Sequence, residues 1–516
     1  MNDDLLAYYN TELTFIREMG AEFAAKYPKV AGRLLLDAEK CEDPHVERLL
    51  EGFAFLAARV RQKLDDEFPE ITGALLQTLY PHYLRPLPSM SIVQFLPGPE
   101  PAKLAGGYTI PQGARMTARP VGGAACQFRT AYPMTLWPIE VKEARLQHDR
   151  VVFPGKPPEA TALVQLSLRC AEGTSFAQLA IDQLRFYLDG DPQVVHALYA
   201  SLFNHVCLVL AQGKRADGTL ETVTLPRGAV RAVGFGPDEG MFPYPARSFA
   251  GYRLIQEYFA FPEKFLFFDL TGLERLAGRP WGETVEFYFF LNQAPKAEIS
   301  IDAANVRLGC APIVNLFPIV AEPIPLTQAR AEYRVVPDVH HPLSTEIYSV
   351  DSVTSTAAFL DEPVEYEPFH ALRHTRGGRA GQAYWSAVRR PSQRQNDQGS
   401  EVYLSFVDTE FNPKRPAGES ITVRATCTNR DLPSRLPFGG DQGDFQLAAP
   451  GPVSRVRCLR KPTTSLRPKL GRGSHWRLIS HLSLNHLSLT DSEQGLDALH
   501  AILRLYDLAD SSVTRQ

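Results

Sequence analysis

The stretch LYPHYLRPLPSMSIVQF, residues 79–95, is where one kind of chain gives way to another. Upstream of it apolar residues recur every three or four positions; downstream they alternate. Those are the spacings of a helix face and a strand face. Pro81, Pro86 and Pro88 stand at the change, where a fixed φ and missing N–H groups stop a helix from continuing. The fold class read from this is α+β: a helical N-terminal segment, residues 1–88, then β-rich domains of antiparallel sandwich or barrel-like form with inserted helices.

Working back from the prolines, Leu5, Tyr9, Leu13, Ile16, Met19, Phe23 and Tyr27 fall on one stripe of a long helix that ends before Pro28. Asp43 followed by Pro44 is an N-cap with proline at the first helical position, where its missing N–H is harmless. Behind that cap Val46, Leu50, Phe53, Ala57, Val60 and Leu64 form a heptad-like seam. A third helix is expected from Pro69 to Tyr80. Three such helices can pack on one another or offer a seam to other subunits. The second possibility makes Leu13, Ile16, Phe23, Leu50, Phe53, Val60 and Leu64 candidate interface residues.

Working forward, residues 89–367 read as a central β-rich α+β region of two subdomains, and 368–516 as a β-rich, basic C-terminal region ending in a helix at Leu496, Leu499, Leu503 and Tyr506. Val164, Leu166 and Leu168 alternate with polar residues, as do Ile421, Val423, Ala425 and Cys427, so each strand is expected to have one wet face. The near-continuous apolar run Val285 to Leu291 is expected to be covered on both sides. Leu184 to Leu188 reads as a strand, Asp189-Gly190 as its turn, and Asp191-Pro192 as the start of a helix through Phe203. Gly251 to Phe259 reads as a helix stopped before Pro262, and Phe265 to Leu270 as the strand after it. From Ala371 to Gln395 six arginines and no acid suggest a long loop or a domain junction.

Composition excludes several classes. With 516 residues, 44% hydrophobic and 22% charged, the chain has material for several cores and is not globally disordered. A net charge of -4 excludes a bulk polycation and names no partner. Seven scattered cysteines without a C-x-x-C pair point to a reducing compartment. The acidic start lacks the basic and apolar regions of a signal peptide. The run Ala197 to Ala211 is broken by Asn204 and His205 and is too short to cross a bilayer, so a soluble chain without membrane insertion is expected.

Chemistry-bearing motifs are sparse. No phosphate loop, nucleophile elbow, H-E-x-x-H or calcium loop occurs. Gly234, Gly236 and Gly240 miss dinucleotide-binding spacing and include Pro237, so they read as a plain turn. His340-His341 and the pair His481 and His486 lack acids or cysteines at ligand spacing. No metal and no cofactor is therefore expected. Glu257, Glu263, Lys264 and Asp269 lie among aromatics, which keeps open a carbohydrate-binding or carbohydrate-active protein. The alternative is a helix-to-strand corner whose charges pair or snorkel while Tyr258, Phe259, Phe261, Phe265, Phe267 and Phe268 fill a core. Finally, Phe445 to Thr490 carries eight cations and no acid, among them Arg455, Arg457 and Arg460, with Trp476 nearby. A protein-partner surface, a solvated face and nucleic-acid binding are all open for this run; lacking any recognised module, nucleic acid is not expected.

The segment Gly251-Tyr252-Arg253-Leu254-Ile255-Gln256-Glu257-Tyr258-Phe259-Ala260-Phe261-Pro262-Glu263-Lys264-Phe265 resembles the most recognisable stretch of the type VI secretion baseplate family TssF, also called VasA or ImpG. Asp43 to Leu49, Leu79 to Tyr83, Leu184 to Gly190, Leu308 to Phe317 and Tyr333 to Asp338 resemble further blocks of it. The resemblance implies a cytoplasmic structural protein, not an enzyme, in a baseplate docked to the inner-membrane complex of a Gram-negative bacterium. It implies a wedge of two TssF copies with one TssG, contacts with TssK and TssE, the VgrG spike at the centre, and support for sheath and tube assembly. Family members are expected to continue beyond the position of Gln516. Within the quoted segment Tyr252, Tyr258, Phe259, Phe261, Pro262 and Phe265 are assigned a structural role as a packed hinge. Phe265→Ala is then expected to cost about 3–5 kcal/mol; an unchanged thermal midpoint contradicts that role.

Overall fold

The computed structural model describes residues 3–34, 43–65, 69–148, 153–215, 218–245, 248–295, 299–327, 329–356, 363–371, 383–395, 397–408, 419–468, 478–479 and 495–508. The chain divides into two units, residues 1–84 with 469–496, and residues 85–468 with 497–516.

The first unit is helical. Helix α1 (Asp3–Lys26) stops at the proline that opens the short α2 (Pro28–Ala31), and α3 (Pro44–Asp65) starts where the Asp43 carboxylate accepts the His45 N–H at 2.8 Å. Helix α4 (Pro69–Leu79) follows. Ala54 and Ala58 of α3 are buried, small enough to let helices approach closely, and α1 packs against α3. The ion pairs Arg17–Glu47 (2.5 Å) and Arg61–Glu12 (2.7 Å) add register at the surface, where such pairs are worth under about 1 kcal/mol.

The second unit is built on sheets. A closed barrel is formed, in spatial order, by Met90–Pro97, Cys310–Val314, Gln127–Thr130, Arg115–Ala118, Phe445–Leu447 and Val453–Cys458, the last pairing back onto the first. A five-stranded sheet (Leu220–Thr224, Val206–Arg215, Trp281–Leu291, Ala162–Cys170, Ile139–Gln147) and a four-stranded one (Val230–Ala232, Phe267–Thr271, Gln183–Leu188, Val306–Leu308) enclose a shared core. Helix α5 (Pro192–Asn204) packs Val195, Leu198 and Leu202 into it, after an Asp191 cap that accepts the Gln193 N–H at 2.8 Å. Helix α6 (Ala250–Ala260) precedes the strand Phe267–Thr271, and α7 (Gly495–Tyr506) is the last helix among the described residues.

Gly309 is the corner where the chain leaves the four-stranded sheet and enters the barrel. Its φ of +70° suits glycine, and an added Cβ would lie 2.7 Å from the Phe95 carbonyl, so a side chain cannot be accommodated. Six residues on, a second device joins the barrel to the end of the strand Ser420–Thr428. Buried Asn315 donates to the Gln127 carbonyl (2.7 Å) and to the Asn429 side chain (2.8 Å), and its own Oδ1 accepts the Asn429 N–H (2.6 Å).

Several expectations change. Trp281–Leu291 is covered on both faces, with Phe287 and Phe289 in one core and Tyr288 and Phe290 in another, yet Glu286 lies within the run and is accommodated by bonds from Tyr288 and Gln165. Ala162–Cys170 lacks the clean wet face expected, because Ser167 is buried in a strand flanked on both edges. The arginine-rich stretch 371–395 is not all loop: Ala383–Pro391 is a strand, favoured by the aromatic and β-branched residues Tyr384, Trp385 and Val388 that a charge count overlooks. It pairs in parallel with Val364–Pro368, the one parallel pair among the described strands. Residues on both sides of the 367/368 division thus lie in one large sheet with Glu346–Thr356 and Ser420–Thr428.

The Asn315 bridge carries a test. Asn315→Ala orphans buried groups on Asn429 and Gln127 and is expected to cost about 2–4 kcal/mol in urea unfolding; an unshifted midpoint contradicts the bridge.

Candidate interaction surfaces

Thirteen of the twenty-five exposed large apolar side chains among the described residues lie between Leu6 and Leu75. A stable domain hides such groups, so their concentration in one short region makes it a candidate interaction surface. On α3, Leu49, Phe53, Leu56 and Val60 repeat at spacings of 4, 3 and 4 and are all outward, Leu49 at 73% and Phe53 at 65% exposure. That is a heptad seam turned outward among the described residues. Phe15, Met19 and Phe23 of α1 and Tyr27 just beyond it are exposed at successive i, i+4 positions, with the Phe23 and Tyr27 rings 5.3 Å apart.

The seam read from sequence mixed two faces. Leu13 and Ile16 of α1 and Leu50 of α3 are half-buried, whereas Phe23, Phe53 and Val60 are exposed. The Leu64 side chain lies outside the described residues. Leu49 and Leu56 were missed because the sequence offers two parallel apolar stripes on α3. Ala54 and Ala58 decide between them: the small-residue side packs within the unit and leaves the large side chains outside.

The corner between α6 and the strand Phe267–Thr271 holds a buried ionic cluster. Glu257 and Lys264 are each 0% exposed and pair directly; Glu257 also accepts the Met241 N–H (2.7 Å), and Lys264 donates to the Glu239 carbonyl (2.9 Å). Burial pushes the Lys264 ammonium below its usual range, and Glu257 counters that shift. Arg253 donates to the carbonyls of Gly236 and Pro237, both at 2.7 Å. The Glu239 carboxylate accepts from Gly234 N–H (2.7 Å) and Gly236 N–H (2.9 Å), and it lies 3.5 Å from Arg185, which grips Asp269 through two 2.8 Å bonds. The Gly234 to Gly240 turn is thereby tied to α6 and to the sheet.

Two corrections follow. Phe261, Phe265, Phe267 and Phe268 fill the core, but Tyr258 is 52% exposed and Phe259 half-buried, since the polar side of α6 occupies the interior instead. Tyr252 is half-buried and stacks on Tyr506, and Pro262 opens the short 3₁₀ turn Pro262–Phe265. Of the four groups that kept a glycosidic acid and base open, Glu257 and Lys264 are sealed against each other and cannot reach a sugar, Asp269 is gripped by Arg185, and Glu263 is half-buried.

Among the described residues of the basic C-terminal run, four arginines are engaged by the chain itself, while Lys469, Arg472 and Arg477 lie outside the described residues. Arg460 donates to the Tyr187 hydroxyl (3.2 Å) and pairs with Asp189 (3.1 Å). Arg467 bridges Glu346 (2.9 Å) and Asp431 (3.0 Å). Arg455 and Arg457 hold the carbonyls of Asp441 and Gly439, at 2.5 and 3.4 Å. Their partners lie far off in sequence or on backbone, which is why composition suggested an open basic face. Trp476, His481 and His486 lie outside the described residues. His341 pairs with Asp338 at 3.1 Å. Among the described residues no cluster of three His, Cys, Asp or Glu is arranged for a metal, and no helix is long and apolar enough to cross a membrane.

The sequence model of the family described as "Type VI secretion system, TssF" matches residues 1–516. A curated relative, "Type VI secretion system component TssF1" of Pseudomonas aeruginosa, is 40% identical over all of this chain and 86% of its own length. Two solved structures share the fold. A TssK-TssF-TssG baseplate subcomplex contains a chain 28% identical with a TM-score of 0.70, covering 91% of this chain and 83% of that one. A baseplate complex of the type VI secretion system contains another, 26% identical with a TM-score of 0.56, covering 99% and 85%.

The ion cluster yields a double-mutant test. Lys264→Met alone is expected to cost about 3–5 kcal/mol by stranding Glu257, and adding Glu257→Gln should recover at least half of it. Additive losses in urea unfolding contradict the coupling.

Proposed function

We propose, from the premise that this chain belongs to the TssF family of type VI secretion baseplate proteins, that it is a structural wedge subunit working by shape and contact rather than turnover. The observation that carries the reading is the exposed seam Leu49, Phe53, Leu56 and Val60 on a helical unit that leaves its largest apolar groups uncovered. Helical seams of this spacing associate by inserting knobs into a facing helix.

The assembly proposed is two copies of this chain with one TssG, joined through the N-terminal helices, with TssK bound to the same wedge. TssE, the VgrG spike and the sheath proteins are proposed as further neighbours in a cytoplasmic baseplate docked to the inner-membrane complex. TssK and TssG accompany TssF in one of the structures this chain resembles. A carbohydrate-active reading has no support at the α6 corner, whose carboxylate and ammonium are closed off from solvent.

Phe53→Asp and Leu49→Asp place charges on a face that is already in water, so folding should survive. Each is expected to abolish co-purification with co-expressed TssG while leaving the circular dichroism spectrum and melting curve unchanged. A folded variant that still co-purifies contradicts the role of the seam.

A further inference from the structure

Two arginines face each other on the outside of the barrel. Arg115 and Arg129 are Cα partners on the strands Arg115–Ala118 and Gln127–Thr130, whose inward neighbours Met116 and Phe128 lie in the barrel core. Ladder bonds fall at Ala114 with Thr130 (3.1 Å) and at Ala118 with Cys126 (2.9 Å), so by alternation Arg115 and Arg129 form a non-hydrogen-bonded pair. Such pairs bring side chains closest, at Cα separations of about 4.5 Å, and like charges so placed repel. Among the described residues neither guanidinium makes a hydrogen bond or an ion pair.

Further positive charge gathers on the same side. Val314, the other Cα partner of Arg129, belongs to the buried cluster that holds Tyr348. The Arg85 guanidinium lies over the Tyr348 ring at 5.1 Å, and Arg389 donates to the carbonyls of Tyr348 (2.9 Å) and Ile347 (2.7 Å). Arg389 therefore adds charge without a free fork. Two acids act on this group of cations from a distance and are engaged elsewhere: Asp351 accepts the hydroxyls of Ser349 and Thr426, each at 2.7 Å, and Glu346 pairs with Arg467 at 2.9 Å. Burial pushes the half-buried Arg129 guanidinium below its usual range and Arg115 adds to that shift, against an opposing pull from Tyr348 and Asp351.

We propose that Arg115 and Arg129 form a clamp for the carboxylates of an acidic segment of a neighbouring protein, with Arg85 and Arg389 supplying positive field behind it. A carboxylate between two guanidinium forks turns their repulsion into charge-assisted, bidentate bonds. Phosphate fits less well. Sites built for it draw on backbone N–H groups at a helix N-terminus or nest, and here the amides of both strands are turned to neighbouring strands. A nucleic-acid strand needs a longer basic track and open rings for stacking, whereas Tyr348 is buried and covered by Arg85. The clamp is separate in sequence from the N-terminal seam, and the chain alone suffices to test it.

The test titrates the full chain with an acetylated hexaglutamate peptide by isothermal calorimetry, beside Arg115→Gln, Arg129→Met, which keeps an apolar stem against Val314, and a control at the exposed Arg231, Arg231→Gln. Each clamp variant is expected to weaken peptide binding at least tenfold and to leave the thermal midpoint unchanged or raised, because a repulsion has been removed; Arg231→Gln should alter neither. No peptide binding by the unsubstituted chain, binding undiminished in the clamp variants, or an equal loss in the control overturns the clamp. A lowered midpoint in either clamp variant overturns it as well, since the pair is then structural. Tighter binding of inorganic phosphate or of a hexathymidylate oligonucleotide than of the peptide, lost in the same variants, overturns the acidic protein partner. All of these outcomes leave the baseplate reading in place; that reading fails only if the unsubstituted chain does not capture TssG.

Discussion

The buried pair of Glu257 and Lys264 is the constraint around which the second unit is arranged. Two charges without solvent are tolerated only if every neighbouring group cooperates, and here the cooperation comes from Met241 N–H, the Glu239 carbonyl and the nearby Arg253. That fixes the rotation of α6, the course of the Gly234 to Gly240 turn and, through Glu239, Arg185 and Asp269, the link to the four-stranded sheet. The core beneath it joins barrel residues Ile92 and Val314 to Phe261 and Phe267. An apolar pair would stabilise the corner as well; the charged one also dictates which side of α6 meets solvent.

Both units leave large side chains outside and draw smaller or polar ones in. In α3 the buried positions are Ala54 and Ala58 while Leu49 and Phe53 are exposed; in α6 the buried positions are Arg253, Gln256 and Glu257 while Tyr258 is exposed. Each inversion gives up apolar burial that an isolated protein would use for its own stability. A subunit that completes its core by assembly has reason to do so. Paired acids and arginines elsewhere follow the opposite rule and close on themselves, as Arg460 does on Asp189 and Arg467 on Glu346.

Elements with local chemistry were legible in the sequence. The caps Asp43-Pro44 and Asp191-Pro192, the prolines between 81 and 88, and the helix-to-strand order from Gly251 to Leu270 were readable because turn and cap preferences act within a few residues. What stayed hidden depends on distant partners. Arg467 reads as one of eight unpaired cations until Glu346 is brought to it, and nothing near Asn315 in sequence announces its bond to Asn429. The phase of the α3 seam was hidden for another reason: two apolar stripes fit the same periodicity, and only packing against α1 chooses between them.

The account stands on association through apolar helix faces. Co-expression with TssG followed by native mass measurement tests it most directly. A complex holding two copies of this chain and one TssG is predicted; a chain recovered as a monomer free of TssG would contradict it.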